Sequence, residues 1–259
     1  MSEFYSFVDA LKNKLSGLNI AVVSFDTTDS TNTRAKAYAA DAADLEAPVL
    51  FIAKEQSAGR GRLGRDFLSL ADSGIYMTLL YFTREELCRA VTVTTAVAVA
   101  AANAINAISA DAVGIKWVND IYSQKGKVAG ILVESVPVKD GRAVAVGIGI
   151  NVGKVEFPLE IRDIAASLEP LNADEKAELA ARICRDVLAH AQGVENRDYM
   201  SDYRKLFILQ NKTVDIYVSG EHKLRGVVEG VDDDGGLIVS HDGHISVLSS
   251  GEITVRVVK

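Results

Sequence analysis

Apolar side chains recur at Phe4, Phe7, Val8, Leu11 and Leu15, three or four residues apart, and Gly17 follows as a stop, so the chain opens with a short amphipathic helix. Ile20 to Phe25 then reads as a strand. A run of short polar side chains, Asp26 to Asn32, separates it from an alanine-rich helical segment, Arg34 to Ala43. Ser30 or Thr31 suits the N-cap of that helix, and hydroxyls and amides at a helix start suit a polar ligand equally. Val49 to Ala53 and Ile75 to Phe82 are strand-like, and Thr83-Arg84-Glu85-Glu86 has the form of a capping box opening a helical stretch that includes Ala90 to Ala110. Strand signals resume at Val113 and end in Lys116-Trp117-Val118-Asn119-Asp120. Ile121 to Ser123, a turn at Gln124-Lys125-Gly126, and Lys127 to Glu134 then form a hairpin. After a second turn at Lys139-Asp140-Gly141, Arg142 to Val152 carries Gly147 and Gly149, where a backbone or ligand can approach closely. Asp174 to Gln192 is an amphipathic helix. From about Thr213 short alternating strands, with turns at Gly220, Asp234-Gly235-Gly236 and Asp242-Gly243, have the texture of a small barrel and mark a second domain.

One stretch fits neither period. Gln56-Ser57-Ala58-Gly59-Arg60-Gly61-Arg62-Leu63-Gly64-Arg65 is too polar and too flexible for core. Its glycines let backbone N–H groups come close to a ligand, and Arg60, Arg62 and Arg65 add fixed positive charge, a combination suited to carboxylate or phosphate. Gly59-x-Gly61-x-x-Gly64 matches the dinucleotide fingerprint literally and follows a strand, but no helix starts inside it: Phe67 to Gly74 is broken by Ser69, Asp72 and Ser73. A phosphate-binding Walker loop is absent as well, since Gly126-Lys127 is followed by Val128.

Composition narrows the clients of that stretch. The net charge of -7 argues against general affinity for nucleic acid or anionic membrane, so the arginines form a local anion site in an acidic body. Ala90 to Ala110 is uncharged and long enough to span a bilayer, yet Thr92, Thr94, Thr95, Asn103, Asn106 and Ser109 interrupt it, which favours a helix buried against a sheet. Cys88 and Cys184 have no paired spacing and no signal peptide is evident, so free thiols in the cytoplasm are expected. His222, His241 and His244 offer no metal-ligand frame, and His190 reads as a helix-end residue.

No nucleophile elbow or electropositive cysteine is present. A carboxylate attacking a phosphate needs neither, because it is already ionised; it needs cations that hold two anions together and absorb transition-state charge. Arg60, Arg62, Lys116 and Lys127 can converge to do this, with Asn119 or Asp120 near a magnesium ion, whereas taken singly Lys116 and Lys127 are ordinary solvated charges.

Five blocks in order, Ser30-Thr31-Asn32, Gln56 through Arg65, Lys116-Trp117-x-Asn119-Asp120, Lys127-x-Ala129-Gly130-Ile131-Leu132-Val133-Glu134 and Gly147-x-Gly149-Ile150-Asn151, resemble the biotin protein ligases. The resemblance covers about residues 20–259. It implies an α+β fold, with a catalytic domain over residues 1–210 built on a mixed sheet flanked by helices and an SH3-like barrel over residues 211–259. It also implies ATP-dependent formation of biotinyl-5'-adenylate, with magnesium, and transfer of biotin to a lysine of a biotin carboxyl carrier protein. No nucleic-acid or membrane partner is expected, and monomer and homodimer both remain open.

Carried over by position, the resemblance puts biotin beside Ser30, Thr31, Asn32 and Gln56, with Arg60, Gly61 and Arg62 on the carboxylate and phosphate side. Lys127 and Arg62 are the catalytic cations, and Arg60, Arg62, Phe67, Asn119, Asp120, Gly149 and Asn151 form the nucleotide side; metal ligands are not assigned. The Gly/Arg stretch closes over the intermediate, since an acyl-adenylate hydrolyses if water reaches it. Two positions depart from the family: Phe67 stands where Trp is usual against adenine, offering less stacking area, and Val118 where Pro is usual. The helix-turn-helix that some relatives carry is not expected, because only about 20 residues precede the pattern, too few for a three-helix module. Lipoate or octanoate ligation on the same fold, and a biotin-sensing transcriptional regulator, are the competing readings.

Overall fold

The computed structural model describes residues 2–41, 47–83, 90–191, 196–249 and 253–258. Cys88 and most of the proposed capping box, residues 84–86, lie outside them. Seven strands, β1 (Ala21–Thr28), β2 (Val49–Gln56), β3 (Gly74–Thr83), β4 (Val113–Lys116), β5 (Asp120–Ser123), β6 (Gly126–Val138) and β7 (Gly141–Asn151), form one sheet in the order β1-β2-β3-β7-β6-β5-β4. β1 and β2 are parallel, joined by a crossover through α2 (Thr31–Asp41), and every other neighbouring pair is antiparallel, so the sheet is mixed, as the resemblance implies.

Helices cover both faces. On one lie α1 (Glu3–Leu15), α3 (Ala90–Ile108) and α4 (Ala173–Ala191), with Leu11, Ile105 and Leu179 fully buried among Ile75, Ile148 and Ile150 of the sheet. α3 is long and apolar enough to cross a membrane, but its Ala- and Val-rich surface is mostly buried in this core, where small side chains permit close packing. On the other face α2 packs Ala35 and Ala39 on Val49, Phe51, Leu80, Ala143 and Ala145. Side chains alternate between faces along a strand, so β7 presents Ala143, Ala145, Gly147 and Gly149 to the α2 side in succession. The two glycines leave a hollow beyond the N-terminal end of α2. In register beside them stand Tyr76 and Thr78 of β3 and Gly130 and Leu132 of β6.

Five further strands, β8 (Thr213–Val218), β9 (Glu221–Val231), β10 (Leu237–His241), β11 (His244–Leu248) and β12 (Ile253–Val257), make an antiparallel sheet in the order β11-β10-β9-β8-β12. Its strands begin where the sequence pattern changes, although the pairing is that of an open sheet, with β11 and β12 at its ends. This unit does not carry a separate core: Val214, Ile216, Val228 and Val239 belong to the same apolar cluster as Trp117, Tyr203 and Ile115. α5 (Met200–Leu206), which the sequence pattern did not reveal, leads into the seam, where Ile208 N–H donates to Ile115 C=O at 3.0 Å and Trp117 Nε1 donates to Gly235 C=O at 2.9 Å. The Trp117–Val118 peptide is cis.

Candidate functional site

Above the glycine hollow lies a cleft of about 990 Å³, its open mouth included, lined by residues from all five sequence blocks and by Ile253, Thr254 and Val255 of β12. At one end a chain of buried and half-buried polar side chains runs from Glu134 to Ser69. Lys36 and Asn32 both donate to the Glu134 carboxylate, and Asn32 Nδ2 also donates to Leu132 C=O at 3.2 Å. Thr78, fully buried on β3, has one proton to give to Asn32 Oδ1 at 2.6 Å or to Thr31 Oγ1 at 2.8 Å. Gln56 Oε1 accepts from Thr31 N–H at 2.8 Å and from the Thr31 hydroxyl at 3.1 Å, and Gln56 Nε2 donates to Ser69 Oγ at 2.8 Å. Burial alone would raise the Glu134 pKa, but the bonds from Lys36 and Asn32 outweigh it and hold the carboxyl below its ordinary value. The amides of Asn32 and Gln56 are therefore fixed in orientation.

This chain also explains the start of α2. The helix begins at Thr31, directly after Ser30, one of the two N-cap positions the sequence offers, and the first-turn N–H of Thr31 is satisfied by a side chain 25 residues away. Gly147 is needed beside it: a Cβ there would stand 2.0 Å from Asn32 Oδ1.

At the other end are cations. The Gly/Arg stretch is a closed hairpin, not an open loop: Arg60 bridges Asp66, Gly61 N–H donates to Arg65 C=O at 2.7 Å, and Phe67 N–H to Gly59 C=O at 2.9 Å, with Leu63 in the left-handed region at φ 60° forming the tip. Arg62 Nη1 donates to Asn119 Oδ1 at 3.1 Å, while Asn119 Nδ2 donates to Ile131 C=O at 2.8 Å. Burial lowers the Arg62 pKa, partly opposed by the charge of Asp120. Arg65 Nη2 donates to Thr254 Oγ1 at 2.7 Å, tying the hairpin to β12. Lys127 Nζ lies 2.6 Å from Asp120 Oδ1. Lys116 rests over the Tyr122 ring at 5.1 Å; burial lowers its pKa, Asp120 raises it, and Lys127, Arg65 and Arg256 add to the lowering. The Phe67 ring packs over Gly149 and Gly130, where a Cβ at Gly149 would come within 2.4 Å of it.

Ser30, Thr31, Asn32, Gln56, Arg60, Gly61, Arg62, Phe67, Asn119, Asp120, Lys127 and Gly149 thus meet at one cleft. Asn151 does not line it: its side chain is 6% exposed and Nδ2 donates to Ala166 C=O at 3.0 Å, anchoring the 161–168 segment. Sequence reasoning missed Thr78, which sits in an apolar strand and looks there like any β-former. It also missed Arg256 and Thr254, whose approach depends on how the second sheet docks. Tyr203 carried no signal either; its hydroxyl is fully buried with no hydrogen-bond partner among the described residues, in the fields of Arg62 and Asp120, and burial raises its pKa strongly. Among the described residues no group of three or more His, Cys, Asp or Glu side chains could hold a metal ion.

Residues 24–151 match the biotin/lipoate A/B protein ligase family. The chain is 30% identical over 251 residues to the bifunctional ligase/repressor BirA of Escherichia coli, covering 94% of this chain and 76% of that protein. It is 31% identical over 242 residues to the biotin–acetyl-CoA-carboxylase ligase of Paracoccus denitrificans, covering 87% and 97%. Among solved structures, the biotin protein ligase of Aquifex aeolicus in complex with biotin and ATP superposes with a TM-score of 0.75 at 25% identity, covering 92% of this chain and 99% of that one.

Proposed function

This chain belongs to the biotin protein ligases of the biotin/lipoate A/B protein ligase family, and we propose how its own residues divide the work. The protein joins biotin to a biotin carboxyl carrier protein at the expense of ATP, through biotinyl-5'-adenylate. The observation that carries the acyl specificity is the unspent hydrogen-bonding capacity of the polar chain. With Asn32, Thr31 and Gln56 oriented as they are, the Ser30 hydroxyl and one Gln56 amide proton remain as donors, and a lone pair on Asn32 Oδ1 remains as an acceptor. The ureido ring of biotin presents one carbonyl, which the two donors suit, and two N–H groups, one of which Asn32 Oδ1 would accept. A lipoyl or octanoyl tail has no such groups and would leave the site unpaired at a cost of about 10⁴ or more in discrimination.

The valeryl chain then runs along the Gly147–Gly149 floor toward the cations. Lys127 and Arg62 meet the biotin carboxylate and the α-phosphate, which repel each other in water, and Arg60 adds to the field. The carboxylate attacks without a general base, and pyrophosphate leaves. The same cations then stabilise AMP as leaving group when the carrier lysine, as free amine, attacks the acyl carbon. Phe67, already stacked on the glycine floor, forms the wall for adenine, and Gly149, on the nucleotide side, leaves room for that ring; the bond Asn151 makes to Ala166 C=O keeps the strand end in place behind them. Magnesium would belong with the nucleotide phosphates: of the two carboxylates lining the cleft, Asp66 and Asp120, Asp120 is the one beside the lysines, and such ions usually keep several waters and one or two carboxylates. Asn119 serves chiefly to aim Arg62. The hairpin and β12 together exclude water from the adenylate. The cytoplasm, with its ATP and reduced thiols, is the compartment this chemistry implies.

Exchange of labelled pyrophosphate into ATP, measured with biotin and with lipoate at matched concentrations, tests the assignment. Exchange with biotin and almost none with lipoate is expected; comparable or faster exchange with lipoate would overturn it.

A further inference from the structure

Asp120 stands between two lysines. Across the β4–β5 hairpin it pairs in register with Lys116, so the two side chains are direct neighbours. On its other side it pairs with Gly130, and Lys127 folds back over that glycine, with Nζ 3.3 Å from where a Cβ would stand, to reach Asp120 Oδ1 at 2.6 Å. The missing side chain at Gly130 is what leaves room for this contact. Lys116 has no carboxylate within ion-pair distance among the described residues and rests on the Tyr122 ring instead. It is a cation largely removed from water with an acidic neighbour already engaged by another cation.

That arrangement conflicts with the task assigned to Lys127. An ammonium whose shortest contact is to Asp120 has its charge largely neutralised, and a substrate carboxylate arriving beside it would face Asp120 as a like charge. We propose that Asp120 is a positioning residue passed between the lysines: it holds Lys127 until the substrate carboxylate arrives, then pairs with Lys116, freeing Lys127 for the substrate. Lys116 acts in this through Asp120, as the cation that accepts the displaced carboxylate. The exchange rests on the reading of Lys127 as the cation that meets the biotin carboxylate. It needs side-chain rotation only, since all three residues sit on adjacent strands of one sheet and Asp120 is within reach of both lysines.

The test uses calorimetric titration of the whole protein with biotin and with biotin methyl ester, without nucleotide and with EDTA, so that neither ATP nor a metal ion contributes. Wild type, Asp120→Asn, Lys116→Met and the double variant are compared. Asp120→Asn is isosteric, and Lys116→Met removes a desolvated charge while keeping its length, so the folds should persist, with circular dichroism as the check. Removing Asp120 is expected to tighten biotin about fivefold or more and leave the ester unchanged. Lys116→Met should weaken biotin by a similar factor, because the displaced carboxylate has nowhere to go, and the double variant should bind like Asp120→Asn alone. A loss that persists in the double variant would show Lys116 acting on the ligand directly and overturn the exchange; so would unchanged or weaker binding by Asp120→Asn. Wild-type protein that binds neither compound would refute the ligase reading itself, and the exchange with it.

Discussion

Replacing Gly147 with alanine probes the acyl end of the cleft with one methyl group. The backbone tolerates it, since Gly147 lies in mid-strand without a positive φ, but the new Cβ would stand 2.0 Å from Asn32 Oδ1 and 2.8 Å from Asn32 Cγ. Ordinary contact requires about 3.4 Å, so the amide must retreat by more than 1 Å. It cannot do so freely: Asn32 is 3% exposed and held by Thr78 at 2.6 Å, Glu134 at 3.0 Å and Leu132 C=O at 3.2 Å. A displaced amide no longer presents its acceptor to the ureido ring, and a buried ureido donor and its partner left unpaired cost about 2–4 kcal/mol of binding, at roughly 1–2 kcal/mol for each group. At 1.4 kcal/mol per tenfold, that is an increase of about 30- to 700-fold in the KM for biotin. The change lies at the ureido end, away from the cations, so kcat at saturation should fall by no more than about threefold. Biotin-dependent pyrophosphate exchange over a range of biotin concentrations measures both, with Gly17→Ala, at a position with nothing within 4 Å, as the neutral comparison. In the Gly147→Ala/Asn32→Ala double variant the clash is gone, so it should be no worse than Asn32→Ala alone. A folded Gly147→Ala protein with a biotin KM within threefold of wild type would refute the placement of the acyl group.

Lys127→Ala should lose adenylate formation by about a hundredfold or more while its circular dichroism stays unchanged, because a cation meeting growing negative charge contributes a few kcal/mol; near wild-type turnover would return Lys127 to a structural role. Thr254→Val removes the acceptor of Arg65 Nη2 and should raise the KM for ATP a few-fold with the biotin KM unchanged; equal effects on both, or none, would count against β12 as part of the nucleotide side. In the C-terminal sheet, Asp215 accepts from Arg225 Nε at 2.7 Å and Nη2 at 2.9 Å, and this pairing, helped by His222, pulls its pKa down from 3.8 to about 2. A depressed carboxyl stabilises the fold fully above its unfolded value, and the contribution disappears as pH falls from about 4 toward 2. A carboxyl NMR titration should therefore find the midpoint near 2, moving up toward 3.8 in Arg225→Met; a midpoint unaffected by that substitution would refute the cause.

What the sequence disclosed and what it hid follow from the range of the interactions involved. The helix and strand periods, the Asp-Gly turns and the Gly/Arg stretch are local, and elements such as β5 and β7 begin and end within one residue of where those signals put them. The N-cap region of α2 was legible in Ser30 and Thr31, but its first N–H is bonded to Gln56, and nothing in residues 26–34 records that. α5 spans seven residues and is held by packing between the two sheets, with Tyr203 and Met200 buried, so its own pattern is too short to read. Alternating strands alone say nothing of what lies against them; the structure joins Val214 and Val239 to Trp117 through one apolar cluster. Asn151, placed in the nucleotide set by position, donates from Nδ2 to Ala166 C=O, a partner 15 residues away that no local pattern records.

The glycines mark the boundary between the two kinds of information. Gly130, Gly147 and Gly149 could be read as places of close approach, but only strand register decides what approaches: Lys127 at the first, Asn32 at the second, Phe67 at the third. A sheet face stripped of side chains at three adjacent positions is costly for a core, since it gives up burial and packing there. In this protein the lost packing is partly recovered by those three side chains, each of which folds onto the hollow from a different segment. The ligand site is therefore assembled from the residues that cover the defect. A substitution that fills the hollow should act on binding before it acts on stability, and Gly149→Ala, with its Cβ 2.4 Å from the Phe67 ring, would displace the wall on the nucleotide side as Gly147→Ala displaces the acyl amide.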